Sequence, residues 1–344
     1  MKLSKQLKNK KILLLSVKTF NYEHIIAEQL RSHGAEVDYY DERPSNSIIV
    51  KGLIRLKREV YQRTINNYYK RILLNSFSKQ YDYLFVIRGE VVPSFFLQQF
   101  KNQQPNCTLI FYTWDSFSNN PHPEKNLEYY HKAFTFDSSD AKIHNIGFRP
   151  LFYHNAYSEI RQLQGKTYEY DLLFIGTAHS DRYKIGNTLI QWCADNSLSS
   201  FAYYYIQSRA VYFYKKWFDP TFKEFEYKKL SFQSLTIHET LSLYKKSKII
   251  LDINHPGQKG LTMRTFETLA AGRKLITTNP EVKKYPFYSS NNIFIIDRDK
   301  PEVLFEFFKT KFEAISKELL FSMSIDGWLE SLFISDGVEC WIEN

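Results

Sequence analysis

The sequence predicts an α/β protein built from two doubly wound, mostly parallel sheets. Three observations lead there. At 344 residues the chain exceeds what one core usually serves and fits two domains of about 150 residues each. Apolar runs such as KKILLLSV and YDLLFIGTA lack the alternation of half-exposed strands, as parallel strands buried on both faces do. Such runs alternate with segments of helical periodicity through both halves. The expected domains are 1–155 and 168–320, with 321–344 as a helical tail crossing back onto the first.

In the first half KKILLLSV is a strand, and YEHIIAEQLRSHG is a helix ending at Gly34, a plausible C-cap. AEVDYYDER is the second strand, and the basic stretch Gly52–Phe77 makes one or two helices. YDYLFVIRG, CTLIFYTWD and KAFTFDSS follow as strands, with PSFFLQQFKNQ a helix between the first two. AKIHNIGF reads as a short helix and a turn, and the polar stretch YSEIRQLQGKTYE as the linker. The second half runs strand YDLLFIGTA, helix RYKIGNTLIQWCADN, strand FAYYYI, helix TIHETLSLYKKS and strand KIILDIN. Helix TMRTFETLAAG and strands KLITT and IFIID complete it, and residues from about Pro301 onward read as helical.

Composition narrows the partners. Hydrophobic residues make up 43% and charged residues 24%, an ordinary globular balance, while aromatics reach 17%. A formal charge of +9 and a pI near 9.1 point to an anionic partner or simply to a solvated basic surface. Cys107, Cys193 and Cys340 are far apart and form no metal spacing, so a reduced, cytoplasmic setting is expected. The run Ile12–Val17 is too short for a signal sequence, and no segment approaches the ~20 apolar residues that span a bilayer. The basic, aromatic stretch Gly52–Phe77 suits peripheral contact with an anionic inner-membrane surface or an acidic acceptor.

Ligands of open α/β sheets bind beyond the carboxyl ends of the strands, so residues just after each strand are the candidates. After KIILDIN come His255, Pro256, Gly257, Gln258, Lys259 and Gly260, then a helix starting near Thr262. A helix start attracts phosphate through unpaired N–H groups and its dipole, and Lys259 and Arg264 add full charges. Thr265 and Glu267 lie in the first turns of that helix, with Glu267 one turn beyond Arg264 on the same face. A carboxylate there suits a ribose diol while the loop holds phosphate; the plainer reading is an exposed ion pair. In GTAHSDRYK, Gly176 and Thr177 admit a phosphate or sugar close to the backbone. Asp181 is either a nucleophile or oxocarbenium stabiliser, or the cap of the next helix. In the first half Glu90 and Asp115 follow strands, as candidate general bases or turn residues, and Trp114 is placed to stack on a sugar. Asp137 to Asp140 reads as an Asx turn and cap, and His122 as an exposed loop residue. No histidine has metal-ligand spacing.

MRTFETLAAGRKLITTN resembles the donor-binding segment of GT-B glycosyltransferases, in which an Arg/Ser-x-x-E-A-x-A-x-G helix precedes a short strand. The resemblance implies that Glu267 takes the ribose hydroxyls of a nucleotide sugar and that Gly272 is the motif glycine. YDLLFIGTAHSDRYKIG, YDYLFVIRGE and LIFYTWDS are similar to strands of the lipopolysaccharide and spore-maturation-type subgroup. The family's glycine-rich first loop is absent, since the first strand runs into SVKTFNYEH. His255-Pro256 resembles a pair in transferases of CMP-activated acidic sugars, where the imidazole touches phosphate, and retaining β-Kdo transferases would use a nucleophile such as Asp181.

The function this implies is transfer of a sugar from UDP-hexose or CMP-Kdo to a bacterial surface glycan or glycolipid. Without a DxD motif, no metal and no cofactor beyond the nucleotide-sugar substrate is expected. Two alternatives stand beside it: a nucleotide-sugar 2-epimerase of the same architecture, and a basic nucleic-acid-binding protein, for which no RRM, KH, helix-turn-helix or zinc signature is present.

Overall fold

The computed structural model describes residues 2–47, 50, 52, 54, 57–161, 167–334 and 341. They divide into two compact units, Met1–Pro150 with Ile325–Trp341, and Leu151–Ser324.

In the first unit six parallel strands, β1 (Lys11–Ser16), β2 (Glu36–Asp41), β3 (Tyr83–Ile87), β4 (Thr108–Thr113), β5 (Lys132–Thr135) and β6 (Gly147–Phe148), lie in the order β2-β1-β3-β4-β5-β6. The leucines of β1 are fully buried, as its uninterrupted apolar run requires. β6 occupies the place predicted as a turn; Gly147 is required there because a Cβ would meet the Phe134 ring at 2.3 Å. Asp137 caps the Ser138–His144 helix by accepting from Ser139 N and Asp140 N. The glycine-free turn after β1 is made by Phe20 and Asn21, at φ +49° and +69°. A left-handed phenylalanine is strained and marks a turn enforced by its surroundings.

The Ile325–Phe333 helix returns to this unit. Trp328 is fully buried, its ring 4.9 Å from Tyr112 in a T-shaped contact and 5.8 Å from Phe85. Phe333 adds a T-shaped contact with Tyr83 at 5.1 Å, and Arg149 donates to the Ser331 hydroxyl. Residues 335–340 and 342–344 of the predicted tail, with Cys340, lie outside the described residues, as do 51, 53, 55 and 56 of the basic stretch. Cys107 and Cys193 are buried and free.

In the second unit β7 (Tyr170–Thr177), β8 (Ser200–Tyr205), β9 (Leu230–Ser231), β10 (Ser247–Asp252), β11 (Lys274–Thr277) and β12 (Ile293–Ile295) form a parallel sheet ordered β12-β11-β10-β7-β8-β9. The chain builds outward from β7 to β9, then restarts at β10 on the other side of β7. This reversal opens a crevice at the carboxyl ends of β7 and β10, where such sheets hold ligands. The segment predicted as a polar linker begins instead as a helix, Ala156–Arg161, with Tyr157 and Ile160 buried. A helix not among the expected elements, Arg209–Phe218, follows β8.

Candidate functional site

Four neighbouring strands of the second unit deliver polar side chains to the same edge of the sheet. From β10 comes Asp252, which is buried; its Oδ2 accepts from Thr262 Oγ1 at 2.6 Å and from Thr265 Oγ1 at 3.2 Å. Thr262 therefore spends its hydroxyl on Asp252 and gives the Met263–Ala270 helix no side-chain cap. Thr265, predicted to touch the ligand, is buried with its hydroxyl turned to Asp252, so it shapes the helix start from behind. Arg264, 21% exposed, reaches Asp252 Oδ1 at 3.6 Å, too long for a hydrogen bond. Among the described residues both Asp252 Oδ1 and Arg264 Nε are buried without a hydrogen-bond partner. Burial pulls the Arg264 guanidinium down, but the Tyr244 hydroxyl and the Asp252 and Glu267 carboxylates hold it above its ordinary value.

Glu267 is 6% exposed. The reading of it as half of an exposed ion pair fails on that burial. A carboxylate is buried only where compensating partners exist, and it sits one helical turn beyond Arg264.

The loop after β7 carries the second group. Arg182 is half-buried; its Nε donates to Ile253 O at 2.8 Å and its Nη1 to Thr177 Oγ1 at 3.0 Å, which ties β7 to β10. Burial and then the Arg264 charge push Arg182 down to about 10. Asp181 stands at the N-cap position of the next helix but makes no capping bond, which corrects that expectation. Arg298, after β12, instead donates to both Asp181 oxygens, at 2.9 and 2.7 Å. The same guanidinium donates to the Asn254 carbonyl, to Asn254 Oδ1 at 2.6 Å and to Thr278 Oγ1 at 3.2 Å. Gly176 is buried, and a Cβ there would meet the Phe174 ring at 2.7 Å, so its first requirement is packing rather than an approaching phosphate. His179 faces His255 with ring centroids 5.7 Å apart; burial, then the Arg182 charge, push His179 down to about 3.

His255 and Lys259 are exposed in the loop after β10, and Gly260 is buried. The loop is pinned by Asn279 Nδ2, which donates to Lys259 O at 3.0 Å, and by Gln258 Nε2, which donates to Gly260 O at 2.9 Å. Gly257 takes φ +80°, where a turn needs glycine.

In the first unit Glu90 and Asp115 lie at the ends of β3 and β4. Glu90 is buried: Arg43 Nε donates to its Oε2 at 2.6 Å, and Arg88 lies 3.4 Å from its Oε1. Asp115 is more open, at 30% side-chain exposure, and pairs with Arg88 at 2.9 Å. The turn is strained, with Arg88 at φ +85° and Gly89 at +65°. It is held by Glu42, which accepts from Gly89 N and Glu90 N, both at 2.8 Å. Burial, reinforced by the Glu90 charge against the pull of the Gly89 bond, pushes Glu42 up to about 8. His122, predicted as an exposed loop residue, opens a 3-10 helix and is half-buried, with Arg58 Nη2 2.7 Å from its Nε2. Burial, then the Arg58 charge, push it down to about 3. Trp114 is half-buried.

Local spacing marked Arg264 and Glu267 but missed Asp252, Arg182, Arg298 and Glu42. The signal for Asp252 and Arg182 was their position at or just after strand ends; nothing local marked Arg298.

No protein-family model and no curated protein sequence matches the chain. Among solved structures, an α-glucosyltransferase in complex with UDP and a 13-mer DNA aligns with TM-score 0.54 at 14% identity, covering 94% of this chain and 95% of that one. A glycosyltransferase from Rickettsia africae aligns with TM-score 0.54 at 12% identity, covering 95% of each chain. The fold is GT-B. Two parallel six-stranded sheets with flanking helices are the architecture the chain shares with these proteins. Among the described residues no helix is long and apolar enough to cross a membrane, and no group of three or more His, Cys, Asp or Glu is placed to hold a metal ion.

Proposed function

We propose that this chain is a glycosyltransferase that moves a hexose from a UDP-linked donor to a hydroxyl of a glycan or glycolipid. The observation that carries the reading is the crevice between β7 and β10, where Arg182, Arg264 and Arg298 gather beside the buried Glu267. A nucleoside diphosphate matches it: Glu267 accepts from the ribose hydroxyls, and the arginines and the uncapped helix start face the diphosphate. UDP rather than CMP is favoured because a GT-B neighbour of similar length was solved with UDP.

Chemically, breaking the bond from the anomeric carbon to the donor phosphate builds negative charge on the leaving diphosphate. Fixed guanidinium groups stabilise that charge as it develops, which lowers the barrier without a metal. Asp181, with both oxygens on Arg298, holds that arginine in place rather than attacking the sugar. For the acceptor, Asp115 is assigned the proton of the attacking hydroxyl because its side chain is 30% exposed while that of Glu90 is 8% exposed.

The test is a thermal-shift screen of the wild-type chain and Glu267→Gln with UDP, GDP, CMP and ADP. A ligand at ~100 times its Kd stabilises by about 2.7 kcal/mol. A shift with UDP that Glu267→Gln loses supports the assignment. A shift with CMP alone overturns the UDP donor, and no shift with any nucleotide overturns the site.

A further inference from the structure

The Arg209–Phe218 helix, which joins β8 to the edge strand β9, turns its rings toward water. Its inward residue Tyr212 is 5% exposed and packs on Phe222 and Tyr227. Ser208 caps it, accepting from Val211 N at 3.2 Å. Outward, Phe213, Tyr214, Trp217 and Phe218 are 56%, 66%, 80% and 70% exposed. At about 100° per residue these four fall within an arc of about 140°, with Lys215 beyond one border and Lys216 and Arg209 beyond the other. Lys216 Nζ donates to Phe225 O at 3.1 Å and Lys215 Nζ sits 5.1 Å from the centre of the Phe222 ring, so the two ammonium groups border the outward rings from the core side. Over 209–229 six basic side chains stand against three acidic ones. The core beneath is filled by Tyr212, Phe222 and Phe225, so the outer rings are not needed to pack the unit.

We propose that this helix is a contact for an anionic bilayer surface, lying parallel to it. The four rings enter the headgroup boundary, where Trp and Tyr are favoured, and the flanking cations meet lipid phosphates. Ten residues span only about 15 Å, half a hydrocarbon core, so the helix lies on the membrane and does not cross it. A second copy of the chain fits less well, because pairing the face with itself opposes Lys215 and Lys216 to their own counterparts. The surface differs from the basic stretch Gly52–Phe77, in which Tyr69 is buried and Tyr68 donates to Asp41 O.

The experiment is co-sedimentation of the full chain with vesicles of phosphatidylcholine alone and of phosphatidylcholine with about 30% phosphatidylglycerol, with light scattering run in parallel. The wild type should bind the anionic vesicles at least ~10-fold more tightly than the neutral ones. The Trp217→Ser/Phe218→Ser double variant should lose that binding by ~10-fold or more, with Lys215→Glu weakening it in the same direction. Trp217 and Phe218 are not among the crevice residues, the Lys215 charge does reach His179, and a thermal melt checks folding. Trp217→Phe gives an independent readout: it should still bind, while the blue shift of tryptophan emission seen when the wild type meets vesicles disappears. The proposal is overturned if the wild type stays in the supernatant with anionic vesicles, if the double variant binds as well as wild type, or if the wild type is a dimer that the double variant dissociates.

Discussion

Arg298 grips both carboxylate oxygens of Asp181 across 117 positions of sequence. The pair, in which Arg298 Nη1 donates to both oxygens, joins the loop after β7 to the segment after β12, and the bonds from Arg298 Nη2 to Asn254 and Thr278 bring in the ends of β10 and β11. One guanidinium thus fixes the spacing of four strand ends, and with it the shape of the crevice.

On the proposed function, that geometry makes Asp181 a positioning residue. Asp181→Asn should keep kcat within about tenfold of wild type while raising the donor KM, whereas loss of a nucleophile costs ~10⁴-fold or more in kcat. Steady-state kinetics on the variant separates the two, and a collapse of kcat with unchanged KM would contradict the positioning role.

Glu267→Ala should weaken UDP binding by ~10- to 100-fold, the equivalent of about 1.5–3 kcal/mol for hydrogen bonds to a charged group. Calorimetric titration reads this directly. An unchanged Kd removes Glu267 from the nucleotide site.

The two acidic residues of the first unit should part ways. Asp115→Asn should lower turnover ~10²- to 10⁴-fold, as removal of a general base does, and leave UDP affinity intact. Glu90→Gln should act on stability instead. It leaves Arg43, 4% side-chain exposed, without its charged partner, at a cost of about 3–5 kcal/mol. Urea unfolding and a rate assay on the same two proteins make the comparison.

Acid should destabilise the chain through His122. Its folded-state pKa of about 3 lies below the ~6.5 of an unfolded histidine, so between these values the unfolded chain binds the extra proton. Stability from this group is fully present above pH ~6.5 and falls as pH drops toward 3, by up to about 1.4 kcal/mol per pH unit. His122→Asn should flatten the pH slope of the unfolding free energy relative to wild type, and an unchanged slope would show that the imidazole titrates freely.

Trp328→Ala should destabilise the first unit by about 3–5 kcal/mol, the range for emptying a large aromatic site. The ring is fully buried against Tyr112 and Phe85, so the loss tests whether the returning helix belongs to that core. Chemical denaturation followed by near-UV dichroism reads it.

Two α/β halves, nearly every strand, and the placement of Arg264 and Glu267 one turn apart on one helix were legible in the sequence. Buried parallel strands leave unbroken apolar runs, and residues one helical turn apart share a face whatever surrounds them. The short β6 and β9 were not legible, being two residues each. The Arg209–Phe218 helix is absent from the expected elements although its rings at 213, 214, 217 and 218 recur at helical spacing; only the tertiary structure shows that this apolar face points outward. Tertiary structure alone decided that Asp181 meets Arg298 instead of capping its helix, that Glu90 is clamped by Arg43, and that Phe20 and Asn21 make a turn usually left to glycine. The physical reason is that strand order and register bring residues a hundred positions apart within hydrogen-bond reach, and no local periodicity encodes that adjacency.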